Sequence, residues 1–504
     1  MKRLTTCSLL LLLATIYAKA EIRLPHIFGD HMVLQQGQAN PIWGQAKPGE
    51  TVTVSIEAQS HQTKAGPNGH WRLKLDPIPT GGPYELKISG SSELTFHDVL
   101  VGEVWLSSGQ SNMRFAVKGA YHAPVEIASA NYPQIRLLSL PNRGTEHAQD
   151  DFEGEWKVCS PDTVGGFSAV AYFFGRRIHQ TLNVPVGIIN SAWGGSSAFG
   201  WIDREAIADL PIYADTIEYW RQACDGYTDD VQAQKLAEYK AWEAAGKPEP
   251  KLRSPWDPRY SHHRPGNSFN GVIHPIVGYG IRGVIWYQGE ADAPRPELYR
   301  DLFPRLIQNW RDAWEQGDFP FYWVQLADYE PNPNREQMED GGLAYIRAVQ
   351  TETLDKLPNV GQAVIIDTGE ARNEHPKDKQ TVADRLVRHA LAKDYGYAIS
   401  CESPRLERTK IKDGSLLLHF TFVEKGLYAF DTPEIRGFRI AGTNGIFVEA
   451  KAEILEPSTI RVWNPEVPHP IAVRYAWDSN PDCNLYDLNG LPATPFESKI
   501  TTPD

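Results

Sequence analysis

The sequence predicts an α/β protein, a doubly wound parallel sheet of about five strands with a β-sandwich-like unit at each end of the chain. Three observations predict it. Between residues 99 and 395, short apolar runs alternate with stretches of helical period. Before and after that region, short alternating runs are separated by Gly, Pro and Asn turn signals. Small and polar residues follow the apolar runs directly, where a parallel sheet opens its ligand crevice.

With 504 residues the chain exceeds one ordinary domain, and about three units are expected. An apolar share of 41% is enough for large cores. The net charge of −13 argues against nucleic acid and anionic membrane surfaces as partners. The 15 Trp and 21 Tyr fit core packing, and some fit stacking on sugar faces.

Residues 1–20 read as a signal peptide. Lys2 and Arg3 precede an apolar run over 9–16, and Ala18-Lys19-Ala20 is a small-residue cleavage site. The run is too short for a good membrane span, and Cys7 lies ahead of it, so no membrane anchor is expected. An exported protein, periplasmic or secreted, follows. Cys159, Cys224, Cys401 and Cys483 form no CxxC pair, which argues against a zinc cluster and leaves a disulfide open.

Residues 21–98 read as the first β unit, with strands near 51–56, 71–75 and 84–88. The core follows in two parts, 99–200 and 268–395. Its strands are expected at 99–106, 185–189, 281–287, 321–326 and 360–366. Its helices are expected at 168–182 behind a Ser168 cap, 297–314 with a kink at Pro304, 343–357, and from His375-Pro376 to 394. Residues 201–267 are charged, aromatic and partly helical, an insertion or lid. Its adjacent His262 and His263 read as surface residues, not metal ligands. Residues 396–504 return to β patterning.

The chemistry gathers at the expected strand ends. Residues 102–113, GEVWLSSGQSNM, place Ser111 where a buried strand gives way to a helix, the position of an acyl-transfer nucleophile. Ser111 is not in a GxSxG elbow, because position 113 is Met, so a strict α/β-hydrolase is not expected. Gly194, Gln288, Glu290 and His375 fall at or past other strand ends. His375 is the best-placed base; His274 competes but is expected to pack near the start of the sheet. The Ser111 N–H, the Gly194 N–H and the Gln288 amide are the candidate oxyanion donors.

The blocks at 102–113, 190–197, 285–290 and 375–380 resemble those of the sialate O-acetylesterase family, a branch of the SGNH hydrolases that includes polysaccharide deacetylases. The combination of GQSN with a downstream WYQGE is specific, and the resemblance extends to 24–36 and 473–496. It implies an SGNH-like core and an acetyl ester hydrolase with Ser111 as nucleophile, His375 as base, and Ser111, Gly194 and Gln288 around the oxyanion. It implies no metal and no organic cofactor. Two positions depart from the pattern. Arg372 stands three residues before the base, where SGNH enzymes commonly carry Asp, and Asn373 stands where close relatives have Asp. Asp367 and Glu370 are then the candidate acids, with a Ser–His dyad as the alternative. Ala291-Asp292 stands where relatives carry a Ser, with local effects expected.

The expected function is removal of O-acetyl groups from an acetylated glycan, O-acetylated sialic acid first and acetylated xylan as the alternative. An inactive carbohydrate-binding protein is the reading from another class. A glycosidase using Glu290 and Asp367 is weaker.

Overall fold

The computed structural model describes residues 21–330 and 342–500, so the expected signal peptide lies outside the described residues. Strand β1 (Glu93–Gly109) is 17 residues long and is buried from Val99 onward. Its first half pairs antiparallel with Gly81–Ser89, and its middle pairs parallel with Val33–Gln35. Its second half is central in the core sheet. The 98/99 boundary expected from sequence therefore falls inside one continuous strand, and the first unit shares its sheet with the core.

The core adds β2 (Tyr132–Ser139), β3 (Val186–Ala192), β4 (Gly283–Tyr287), β5 (Phe321–Val324) and β6 (Val360–Ala363). These strands and β1 run parallel in the order β2-β3-β1-β4-β5-β6, with Lys157–Cys159 antiparallel at the β2 edge. The architecture is mixed α/β, as the alternation of patterns predicts. Strand β2 has no counterpart in the sequence reading. Its outer residues are partly exposed and its apolar run is short. The order reverses at β1, which puts the crevice of a doubly wound sheet at the carboxyl end of that strand.

Helices α1 (Ser111–Arg114), α2 (Ala169–Leu182), α3 (Pro296–Trp314), α4 (Leu343–Glu352) and α5 (Lys379–His389) belong to the core. Ser168 caps α2, accepting from the Ala171 N–H at 3.2 Å. Pro304 lies inside α3. The last helix starts later than expected: Asp378 is its N-cap, accepting from the Thr381 N–H at 3.0 Å, and His375 lies in the preceding loop. The short Asp side chain satisfies a free helix amide, which His375-Pro376 cannot do.

Most of the aromatic load is core: Trp105, Trp201, Trp286, Trp310 and Trp323 are all fully buried. Inside β1, Glu103 is buried and accepts from Gln36 (2.6 Å), Arg282 (2.8 Å) and Tyr395 (2.8 Å). Burial pushes the Glu103 carboxyl up, but Arg282, Tyr395 and Gln36 together hold it below the usual range. The expected insertion contains two helices, Ala214–Cys224 and Asp229–Ala244, each with one buried residue, a Trp. The C-terminal strands build their own core around Leu416, Phe438, Ile460 and Tyr475, into which Val364 and Ile366 dip just past β6. Cys159, Cys224, Cys401 and Cys483 are free, so no disulfide joins them. Among the described residues, no helix is long and apolar enough to cross a membrane.

Candidate active site

Ser111 opens α1 immediately past the end of β1. The turn between strand and helix depends on Gly109, whose φ is +133° and whose missing Cβ would stand 2.2 Å from the Tyr287 carbonyl oxygen on β4. Gln110 then donates its N–H to that same oxygen at 3.0 Å. Gly109→Ala is expected to lower stability by about 2 kcal/mol through strain alone and to cut activity with it. Thermal unfolding and acetate release on the same preparation check this.

The loop after β3 wraps Ser111. Trp193 donates its N–H to the Gly109 carbonyl at 3.0 Å. A Cβ on Gly194 would lie 3.5 Å from the Ser111 Cβ, so the backbone passes close to Ser111. Among the described residues, neither the Ser111 N–H nor the Gly194 N–H has an acceptor. Two amides at one point, one of them opening a helix, suit an anionic oxygen.

Gln288 sits past β4 and is fully buried. Its amide donates to the Asp292 carboxylate at 2.6 Å and to the Ser196 carbonyl at 3.1 Å. Both amide hydrogens are therefore spent, and none points to a substrate oxygen in this arrangement. Asp292 also accepts from the Ser197 hydroxyl (2.5 Å) and the Ala198 N–H (2.8 Å). Gln288 and Asp292 thus fasten the β3 and β4 loops to each other. Asp292, which the sequence reading passed over as a local departure, is the hub of that junction.

Asn112 is the larger omission. Its amide donates to Glu290 Oε1 at 2.6 Å and to the Glu374 carbonyl at 2.8 Å, and its Oδ1 accepts from Lys379 Nζ at 2.6 Å. One side chain thereby joins the nucleophile turn, the β4 loop, the His375 loop and α5. Lys379 is fully buried, its ammonium 5.1 Å from the ring centres of both Phe115 and Tyr287. Burial pushes Lys379 down to about 7, with Glu290 opposing. Burial likewise raises Glu290, and its Oε2 has no partner among the described residues. Glu290 is thus part of a buried network, not one of a glycosidase pair. Polar residues at an i to i+1 offset from a nucleophile give no periodic signal, so this network was legible only as the unexplained residues of the blocks.

His375 is partly buried, with the Phe115 ring stacked 6.4 Å away at 21°. Its Nε2 is buried without a partner among the described residues. Glu374 is the neighbouring carboxylate of Nδ1, at 3.7 Å, beyond hydrogen-bond length. Asn373 clamps the loop, accepting from the His375 N–H (3.1 Å) and donating to the His375 carbonyl (2.9 Å). Glu370 accepts from Asn373 (3.1 Å) and from the Lys377 N–H (2.9 Å). Asp367 is held by Arg385 (2.5 and 2.7 Å) and by the Tyr486 hydroxyl (2.8 Å). Both candidate acids are therefore engaged away from the imidazole. His274 is exposed and bonds the Gln149 carbonyl at 2.8 Å. Arg372 is exposed.

A family model described as carbohydrate esterase, sialic acid-specific acetylesterase, matches residues 101–236 and 267–393. The sialate O-acetylesterase of Mus musculus is 30% identical over 98% of this chain and 97% of its own length. The chain belongs to the sialic acid-specific acetylesterase family. The Homo sapiens sialate O-acetylesterase is also 30% identical, over 98% of this chain and 95% of its own length. Among solved structures, a carbohydrate acetylesterase from Xanthomonas citri superposes with a TM-score of 0.81 at 32% identity, covering 95% of this chain and 99% of that one.

Membership in this acetylesterase family identifies a carboxylic ester hydrolase. The match skips 237–266, which includes His262 and His263 and the second half of Asp229–Ala244. The acetylesterase blocks around Ser111, Gln288 and His375 are the segments that Asn112, Asp292 and Lys379 pin together.

Proposed function

We propose that this acetylesterase removes O-acetyl groups from carbohydrate, O-acetylated sialic acid foremost, by an SGNH-type serine mechanism. Ser111 Oγ attacks the acetyl carbonyl while His375 Nε2 takes its proton. The carbonyl oxygen, now negative, accepts from the Ser111 and Gly194 N–H groups. Collapse expels the sugar oxygen, which takes the proton from His375. A water, deprotonated by the same imidazole, then attacks the acetyl-Ser111 ester and releases acetate. The observation that carries this reading is the meeting of two unspent amides with Ser111 at the reversal point of the sheet.

The acid is the open member. With Asp367 and Glu370 engaged elsewhere, we favour a Ser–His dyad, its imidazole oriented by the clamped loop and the Phe115 ring. Gln288 acts on the oxyanion indirectly, by fixing the loop that presents Gly194. The inactive binding-protein alternative has no use for a buried His375 Nε2 left without a partner among the described residues. The leader-like residues 1–20 support export to the periplasm or beyond.

Acetate release from O-acetylated sialic acid and from acetylated xylan, measured side by side, tests the substrate. No release from either by the folded protein would sink the esterase reading. The base makes a further prediction. Burial lowers His375 below its ordinary value of 6.5, with Glu374 opposing. The catalytic form is the neutral imidazole, so kcat/KM falls as pH drops through that lowered pKa and is level above it. A single acid limb with its midpoint below 6.5 is expected. A flat profile down to the carboxylate range removes His375 as the base.

A further inference from the structure

Three rings and one guanidinium beside the Gly194 loop have no task in the chemistry above. Trp193 directly precedes Gly194. Its ring lies 4.7 Å from that of His262 at 36°, and His262 lies 4.3 Å from His263 at 39°. Trp193 and His262 are partly buried and His263 is exposed, so the row of rings reaches solvent. A Cβ on Gly195 would stand 3.8 Å from His262 Nε2, which places the imidazole against the very loop whose Gly194 faces Ser111. No ring nitrogen of His262 or His263 has a hydrogen-bond partner among the described residues. Burial pushes His262 down to about 4, with His263 adding to it, and burial also lowers His263. Both rings are therefore neutral at neutral pH, each with one donor and one acceptor nitrogen.

Arg295 is the cation at this edge. It acts on His263 electrostatically, and its side chain is 45% exposed. Its contact with Asp292 is long, 3.5 Å, because that carboxylate already serves Ser197, Ala198 and Gln288. The guanidinium also lies 5.8 Å from the Phe199 ring centre.

We propose that Trp193, His262 and His263 form the platform for the sugar ring that bears the acetyl ester, with Arg295 pairing with the carboxylate of an acidic sugar. A sugar's C–H face packs on aromatic rings, and its hydroxyls suit the open imidazole nitrogens. A half-exposed guanidinium offers a fork to a carboxylate, a group that neutral xylan lacks. The inference rests on the Ser111 reading and adds to it the residues that choose the substrate.

The test compares kcat/KM on O-acetylated sialic acid, acetylated xylan and a small aryl acetate, using the full chain. Trp193→Ala is expected to lower the ratio of sialate to aryl acetate about tenfold, chiefly through KM. Trp193→Phe is expected to restore most of it. His262→Ala provides the same readout should Trp193→Ala fail to fold. Arg295→Gln is expected to lower sialate hydrolysis about tenfold more than xylan hydrolysis. Equal losses on the sugar and aryl esters would mean that the rings only hold the loop, and an unchanged ratio would place the sugar elsewhere. Equal losses on sialate and xylan in Arg295→Gln would remove the carboxylate contact, as would a wild type active on xylan and inert on sialate. The Ser111→Ala variant separates the two failures: if it is inactive while every ratio is unchanged, the site reading stands and the platform falls.

Discussion

Ser111→Ala is expected to lower acetate release by a factor of about 10⁴ or more while leaving the fold intact. The side chain is small and partly exposed, so its removal leaves neither a large cavity nor a buried group without a partner. The amides of Ser111 and Gly194 are backbone groups and survive the change. Residual activity would therefore come only from oxyanion stabilisation and binding. Near-normal turnover by the variant would put the nucleophile elsewhere. A serine-directed covalent inhibitor gives the independent readout, labelling the wild type at this residue and not the variant.

The second large effect is on stability. Lys379→Met removes the cation that faces Glu290 across Asn112. It leaves a carboxylate in a sealed site and the Asn112 oxygen without its donor. Breaking such a buried pair on one side costs about 3 kcal/mol or more. The pH dependence fixes the sign. Glu290 is raised in the folded protein, so the folded state holds a proton that the unfolded chain releases from 4.5 upward. Stability from this group is present at low pH and lost as pH rises toward the folded pKa. Without Lys379 that pKa climbs further, and the loss extends to higher pH. Lys379 carries its charge only below about 7, so the melting temperature of Lys379→Met is expected to drop more at about pH 6.5 than at about pH 5 relative to wild type. Adding Glu290→Gln, which cannot ionise, is expected to recover most of the extra loss at about pH 6.5. A deficit equal at both pH values would mean that packing, not charge, is what Lys379 contributes.

The parts of the fold that could be read in advance were those with a period. Residues 51–56 are a strand at the bounds that alternation predicts, and the apolar faces of α2 and α3 are where their spacing puts them. Boundaries set by single hydrogen bonds were not readable. The Asp378 cap moved the start of α5 past His375, and β1 crossed a junction that composition suggested. In the site, residue type and position at strand ends offered Ser111, Gly194 and His375 as candidates. They could not show that Gln288 spends its amide on Asp292 and Ser196, because that depends on where a second loop comes to rest. Nor could they show Asn112, Asp292 and Lys379 as junctions, since each touches segments far away in sequence. His262 and His263 read as surface residues and His263 is exposed, yet packing sets the His262 ring against Gly195.

The long strand that ends at the Ser111 turn ties the candidate site to the beginning of the chain. Val33–Gln35 and Gly81–Ser89 flank one half of β1, β3 and β4 the other, and Gln36 reaches the buried Glu103 midway. The hydrophobic core runs through both halves without a break, whereas the C-terminal strands close around a core of their own. The N-terminal β unit is consequently not a detachable module. A protease that clipped it away would take with it the neighbours that hold β1 in register, and Ser111 would lose its anchorage from a cut far behind it. The C-terminal unit meets the rest through Val364, Ile366 and the Tyr486–Asp367 bond, so changes there reach the sheet at β6 rather than at β1.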